Sequence, residues 1–296
     1  MLTAVVDRRN HAPPIRAQNQ QGKAMRHGLP IFASLVLATA AVPAQATITV
    51  LNQWHLGEAD AGASAGGAGA ATTVDSVGGF NLNKVGAPTY ASDVAPRIGS
   101  TLSVAFNGTA DGYNNMTAVA STLSDNFGIE AWVKSNGSTA GNATIAYNGN
   151  TSNAGWGIFR FGGSYGLLYG GNLGANVSPI STAWTELALV RDNGTTTFYV
   201  NGVASYTTPT GPNPPSGGVG IGTNPTVANA EMFDGKIDEV RIFSFVPGAF
   251  SVGDLNLPPP VPTPMLSLRA MALLGLGMLA LTWLGLRRRK ANTISA

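Results

Sequence analysis

The sequence contains no cysteine. Disulfides, a thiolate nucleophile and sulfur-ligated zinc are therefore excluded. Charge is scarce as well, at 11% of residues against a usual quarter or so. Histidine occurs only three times, and two of the three precede residue 47, which leaves general-base chemistry poorly supplied. Helix-favouring composition is also missing, because 38 Gly and 18 Pro in 296 residues interrupt helical runs and mark turns. Long apolar runs occur only near the two ends.

The formal net charge of +2 conceals an uneven distribution. Residues 1–46 and 257–296 each hold five basic residues, and together only one acid, Asp7. Residues 47–256 hold 7 basic and 14 acidic residues, a net charge of −7. A body of that sign repels a phosphate backbone, so nucleic acid is not an expected partner. About 210 residues between the ends is ample for one core.

The ends read as addresses. Arg26 and His27 precede an apolar run over 29–42, bracketed by Pro30 and Pro43, and Ala44-Gln45-Ala46 follows. A basic region, an apolar region and a small-x-small site together predict a signal peptide cut after Ala46. Met25 is then a candidate true start, because residues 1–24 lack hydrophobic periodicity. At the other end, Pro258-Pro259-Pro260-Val261-Pro262-Thr263-Pro264 predicts a stiff extended spacer. Residues 270–286 are uncharged and close on Arg287-Arg288-Arg289-Lys290. Seventeen residues is the short end of a membrane span, Trp283 fits an interface anchor, and the basic cluster places that end in the cytoplasm.

This order of Pro-rich motif, apolar helix and terminal Arg cluster resembles the PEP-CTERM and IPTL-CTERM sorting tails of bacterial proteins. The resemblance implies an exosortase-type sorting enzyme as partner, and a permanent single-span anchor is the alternative. Thr263 stands where the PEP form has Glu, and the Trp of the IPTL form is missing. The expected organisation is a leader over 1–46, a domain over 47–256 and a spacer, membrane helix and basic tail over 257–296. The localisation that follows is the envelope, the outer surface or the exterior.

Between the ends, short β-type runs alternate with turn clusters, as in a two-sheet sandwich. Strands are expected at 47–54, 103–106, 127–134, 143–147, 155–161, 165–169, 185–191, 196–200, 218–221 and 236–243. In 127–134, Phe127, Ile129, Ala131 and Val133 share one parity and Glu130, Trp132 and Lys134 the other, so one face packs inward. Asp192-Asn193-Gly194 predicts a tight hairpin, and Asn201-Gly202 a second turn soon after. The Ala/Gly/Ser stretch over 59–71 predicts a flexible loop. It contains Gly62-Ala63-Ser64-Ala65-Gly66, a chance match to a nucleophile elbow with no strand, helix or histidine to support it.

Five segments in order resemble laminin-G-like, concanavalin A-like lectin domains. They are Trp54-His55-Leu56-Gly57-Glu58 with Asp75-Ser76-Val77-Gly78-Gly79, Phe127-Gly128-Ile129-Glu130-Ala131-Trp132-Val133-Lys134, Trp184-Thr185-Glu186-Leu187-Ala188-Leu189-Val190-Arg191, Phe198-Tyr199-Val200-Asn201-Gly202, and Phe233-Asp234-Gly235-Lys236-Ile237-Asp238-Glu239-Val240-Arg241-Ile242-Phe243. The resemblance implies an all-β jelly roll of two antiparallel sheets, flanked here by a signal helix and a transmembrane helix. It also implies a structural calcium ion, with Asp75 and Asp238 as ligands. The acidic body agrees with a hard cation, while the local alternative is that Asp75 caps its own turn.

Candidate ligand-binding residues are Trp156, Tyr165, Tyr169, Asn148 and Asn150, since a sugar site combines a ring with amide hydrogen-bonders; a hairpin packing its own aromatics is the competing reading. Glycosidases of related fold carry Glu-x-Asp-x-x-Glu, and no such spacing occurs. Asp238 and Glu239 are adjacent on an expected strand and so point to opposite faces, whereas Glu239 and Arg241 share a face as an ion pair. The expected function is a non-enzymatic exported module that binds glycan or extracellular polymer. The alternatives are a structural matrix protein without a ligand site and a glycosidase.

Overall fold

The computed structural model describes residues 48–227, 230–258 and Trp283. The expected signal and transmembrane helices lie outside the described residues. Among those described, no helix is long and apolar enough to cross a membrane.

Sixteen strands are described. In chain order they are β1 (Ile48–Trp54), β2 (Thr72–Thr73), β3 (Leu82–Val85), β4 (Thr89–Ala91), β5 (Ser103–Asn107), β6 (Gly112–Asn115), β7 (Phe127–Ser135), β8 (Asn142–Asn150), β9 (Ala154–Phe161), β10 (Ser164–Tyr169), β11 (Leu173–Pro179), β12 (Thr185–Asp192), β13 (Thr195–Val200), β14 (Val203–Thr208), β15 (Gly218–Ile221) and β16 (Asp234–Phe245). They form two antiparallel sheets. The first runs β14-β13-β12-β7-β16-β5-β4, with β1 also on β16; the second runs β11-β10-β9-β8-β15-β6-β3-β2. All ten expected strands are present, shifted at their ends by a few residues at most.

Strand β16 shapes the first sheet because it changes neighbour half-way. Asp234 to Ile237 pair with β5, and Val240 to Phe245 pair with β1. The change falls at a β-bulge, where the register against β7 shifts between Asp238 and Arg241 and Glu239 adopts φ 51°. The bulge corrects the expected Glu239–Arg241 pair, because it breaks the alternation that would have put them side by side. Arg241 instead meets Glu130, its cross-strand partner on β7, and Glu239 meets Arg97 and His55.

The core lies between the sheets. The first contributes Trp54, Ile129, Val133, Leu187, Leu189 and Ile242, and the second Ile145, Trp156, Ile158, Tyr165, Leu167 and Tyr169. The β12–β13 hairpin turns through Asn193 and Gly194, both at positive φ, as a type I′ turn requires. The segment over 59–71 is pinned, contrary to the expectation of a flexible loop. Asp60 accepts from Val74 N–H and Tyr90 O–H, Ala70 N–H donates to Tyr90 Oη, and in the backbone Gly66 N–H donates to Tyr90 O, Tyr90 N–H to Gly67 O and Gly69 N–H to Pro88 O. Its small residues let the chain lie close, since a methyl group at Gly69 would collide with Tyr113 Oη.

A second apolar cluster covers the outer face of the first sheet. Ala188, Val190, Phe243 and Phe245 are buried beneath Phe250, Val252, Leu255 and Leu257 of a strap over 246–257. The strap is fixed by polar contacts as well. Trp132 Nε1–H donates to Asn256 O at 2.9 Å, Asn256 N–H reaches the Glu130 carboxylate, and Arg241 donates to Asp254 O. Ser251 and Asp254 form a capping box on its single 3₁₀ turn, Val252–Asp254.

This burial leaves Glu186 on β12 enclosed, with Oε2 accepting from Gly202 N–H and Oε1 without a partner. Burial, aided by the Glu130 charge, pushes the Glu186 carboxyl up to about 8, although Gly202 N–H and Arg241 oppose it. Asp238 is pushed by burial to about 7. Both groups hold protons in the folded chain that the unfolded chain releases near pH 4–4.5, so their contribution to stability falls as pH rises from there to about 8. Thermal melts should show a lower midpoint at pH 9 than at pH 5, and Glu186→Gln should narrow that drop. Each kcal/mol recovered is worth about 2–4 °C for a domain of this size. A drop as large in the variant as in the wild type would contradict the assignment.

Candidate functional site

The aromatic residues singled out in the sequence face the interior. Trp156 on β9 is cross-strand partner to Tyr169 on β10, its ring stacks on Phe127 at 4.3 Å, and its Nε1–H donates to Leu123 O. Tyr165 bonds Ser181 O through its hydroxyl, and Tyr169 bonds Thr196 Oγ1 at 2.7 Å. All three have 0% exposure. Asn148 is equally enclosed, its amide bonding both Val119 N–H and Val119 O. Asn150 accepts from Ser152 N–H in an Asx turn. The expected ligand roles of Trp156, Tyr165, Tyr169 and Asn148 are corrected accordingly: rings and amides saturated inside the sandwich offer nothing to a sugar outside it, whereas Asn150 is half-buried at the end of β8, away from the groove described below.

The two expected calcium ligands are also engaged. Asp75 Oδ1 accepts from the backbone N–H of Gln53, Val77 and Gly78, and Oδ2 from Asn52 Nδ2–H and Phe80 N–H. Burial raises its pKa, but these donors outweigh burial and the net shift is downward. Asp238 Oδ2 accepts from Ala95 N–H and Ser100 O–H, while its Oδ1 has no hydrogen-bond partner. Among the described residues no group of three or more His, Cys, Asp or Glu is arranged to hold a metal ion. A calcium ion needs six to eight oxygens. The Asp75 carboxylate, spent on five N–H donors, does not fit it, and Asp238 brings one unpartnered oxygen.

Beside Asp238 lies a mixed-charge network. Glu239, 1% exposed at its side chain, takes Arg97 and His55 as ion partners and accepts from Gln53 Nε2–H at 3.0 Å. The hydrogen bond to Glu239 holds the His55 pKa above its usual value despite partial burial. Every carboxylate oxygen of Glu239 is thereby occupied within the fold.

An open groove of about 280 Å³ lies elsewhere, between the β12–β13 hairpin and the strap. Its floor follows from strand alternation. Leu189 and Phe198 point into the core, so Val190, Asp192, Thr195, Thr197 and Tyr199 face out, with Val190 opposite Thr197 and Asp192 opposite Thr195. Phe250 of the strap forms the wall, its ring 5.9 Å from that of Tyr199. Gly248 N–H donates to Asp192 Oδ1 at 2.7 Å and ties the start of the strap to the hairpin. The groove thus offers two half-buried rings, two threonines and one carboxylate, all but Phe250 on the hairpin. Tyr199 was legible as an outward residue from the alternation of Phe198-Tyr199-Val200. Phe250 was not, because nothing in 246–257 has strand or helix periodicity.

Residues 107–250 match the family model described as the concanavalin A-like lectin/glucanases superfamily. The fold is a jelly-roll sandwich of two antiparallel sheets, similar to the folds of that superfamily. Among solved structures, the chain is similar to domain 4 of AbnA, a GH43 extracellular arabinanase from Geobacillus stearothermophilus, in complex with arabinotriose. The identity is 20%, the match covers 71% of this chain and 99% of that one, and the TM-score is 0.51. It is also similar to the botulinum neurotoxin serotype G binding domain, at 15% identity, over 70% of this chain and 50% of that one, with TM-score 0.48. A sialidase of Trypanosoma rangeli in complex with sialic acid matches at 15% identity over 74% and 35%, with TM-score 0.45. The chain therefore spans about half of the neurotoxin domain and a third of the sialidase. No curated protein matches the sequence.

The jelly roll's dependence on Asp75 is testable. Asp75→Ala removes the acceptor for five donors and should destabilise the fold by more than about 3 kcal/mol, since charge-assisted hydrogen bonds are worth about 1.5–3 kcal/mol each. A chelator should leave the melting midpoint of the wild type unchanged. A midpoint that falls with chelator and recovers with calcium would reinstate the ion.

Proposed function

We propose that this chain is an exported, non-catalytic module of the bacterial envelope or exterior that binds glycan through the groove between the β12–β13 hairpin and the strap. The observation that carries this reading is the pairing of outward rings, Tyr199 and Phe250, with hydroxyls and a carboxylate in one open concavity. Sugar rings present apolar C–H faces and hydroxyl edges, and sites for small polar ligands combine apolar walls with a few placed polar groups. The arabinotriose bound to the arabinanase domain supports the same class of ligand.

Binding is favoured over hydrolysis by charge count. Glycoside hydrolysis needs two carboxyl groups flanking the bond, and the groove is lined by one, Asp192. The other close carboxylates of the first sheet, Glu130 and Glu186, are buried beneath the strap. Export, the sorting enzyme and membrane attachment belong to this proposal through the sequence of the two ends. The −7 charge of residues 47–256 supports the absence of nucleic acid from the partners.

A glycan array probed with the full chain should give signals that Tyr199→Ala reduces at least tenfold and Thr197→Ala reduces less, both with near-wild-type melting. Trp156→Ala should instead cost about 3–5 kcal/mol of stability, as loss of a core aromatic does. Loss of signal in Trp156→Ala without loss of stability, together with full signal in Tyr199→Ala, would move the site away from the groove.

A further inference from the structure

We infer that the groove discriminates by charge, accepting neutral sugar units and rejecting acidic ones such as uronates and sialic acids; this deepens the glycan-binding reading and rests on it. Asp192 is the only formally charged residue among those lining the groove. Gly248 N–H holds one of its oxygens in place, so the carboxylate is a fixed feature of the floor.

The neighbouring cations are turned to other work. Arg191, one residue away and so on the opposite face of β12, bonds Thr196 Oγ1 and Thr210 O and pairs with Asp125. Arg241 is on the outer face, but it is paired with Glu130, bonded to Asp254 O, and 7% exposed. Neither offers its charge to a ligand's carboxylate. The surrounding domain adds a net charge of −7, which repels anions at longer range.

A neutral sugar meets the opposite situation. An ionised carboxylate is an acceptor only, and charge-assisted bonds from hydroxyls are among the stronger ones. Thr195 and Thr197 carry hydroxyls that both donate and accept, and Tyr199 and Phe250 supply surface for the C–H face of the ring. The chemical class that fits is a neutral sugar with adjacent free hydroxyl groups.

The test compares matched pairs on the full chain by calorimetric titration: galactan against polygalacturonate oligomers, and lactose against sialyllactose. The neutral member of a bound pair should bind at least tenfold tighter at low salt. Asp192→Asn, which keeps an acceptor for Gly248 N–H, should narrow that ratio by improving the acidic member. An acidic member that binds as tightly as its neutral counterpart, or a ratio unchanged in Asp192→Asn, would overturn the charge selection while leaving glycan binding intact. Absence of binding to every member, and to arabinotriose, would overturn the glycan reading and this inference together.

Discussion

Arg241 is the point on which the outer layer of this domain depends. From one guanidinium it pairs with Glu130 across the strands, donates to the strap at Asp254 O, and lies 5.2 Å over the Phe243 ring. Phe243 in turn stacks beneath Phe250, and Phe250 is the wall of the groove. A buried ion pair is not in itself a strong stabiliser, because desolvation offsets most of the attraction. What it does supply here is intolerance: removing either partner strands a charge under the strap, so the strap has one docked position. The bulge at Glu239 is the condition for all of this, since it releases Glu239 to Arg97 and leaves Arg241 opposite Glu130.

The strands that were legible in the sequence are those with a buried face. Alternation in 127–134 or 185–191 reports the core directly, because every second residue must be apolar. The six that were not expected are short or peripheral. Thr72–Thr73 and Thr89–Ala91 are two and three residues long, and Leu173–Pro179 and Val203–Thr208 are edge strands whose outward residues obey no apolar pattern. The segment over 59–71 was misread for a related reason. Its composition describes what it lacks, while its order comes from Tyr90 and Asp60, whose contacts are invisible at the level of one segment.

The site was less legible than the fold, and the cause is specific. Trp156, Tyr165 and Tyr169 look like ligand platforms because they sit among glycines, yet glycine there removes side chains from the outer side of strands whose inner side is packed. Gly157 alternates with Trp156 and Ile158, and Gly166 with Tyr165 and Leu167. Parity therefore sends the rings inward. The groove escapes sequence reading because Tyr199 and Phe250 come from a hairpin and from a strap fifty residues later, with β16 between them. Only the docking of the strap makes them neighbours.

The acidic excess that suggested a cation finds its explanation in the turns. A chain with 38 Gly and 18 Pro has many backbone N–H groups outside the ladders, and buried donors must be satisfied. Carboxylates satisfy them: Asp60 takes Val74 N–H, Asp75 takes four backbone donors, Asp111 takes Ala87 N–H, Glu58 takes Thr101 and Leu102 N–H, and Asp125 takes Gly194 N–H. In a domain without disulfides these charge-assisted bonds fix loops that would otherwise depend on cross-links or ions. Asp192 belongs to the same set through Gly248, but its loop is the edge of an open groove rather than a closed turn. One structural habit, carboxylate caps on loops, thus places a negative charge at the open groove between the hairpin and the strap.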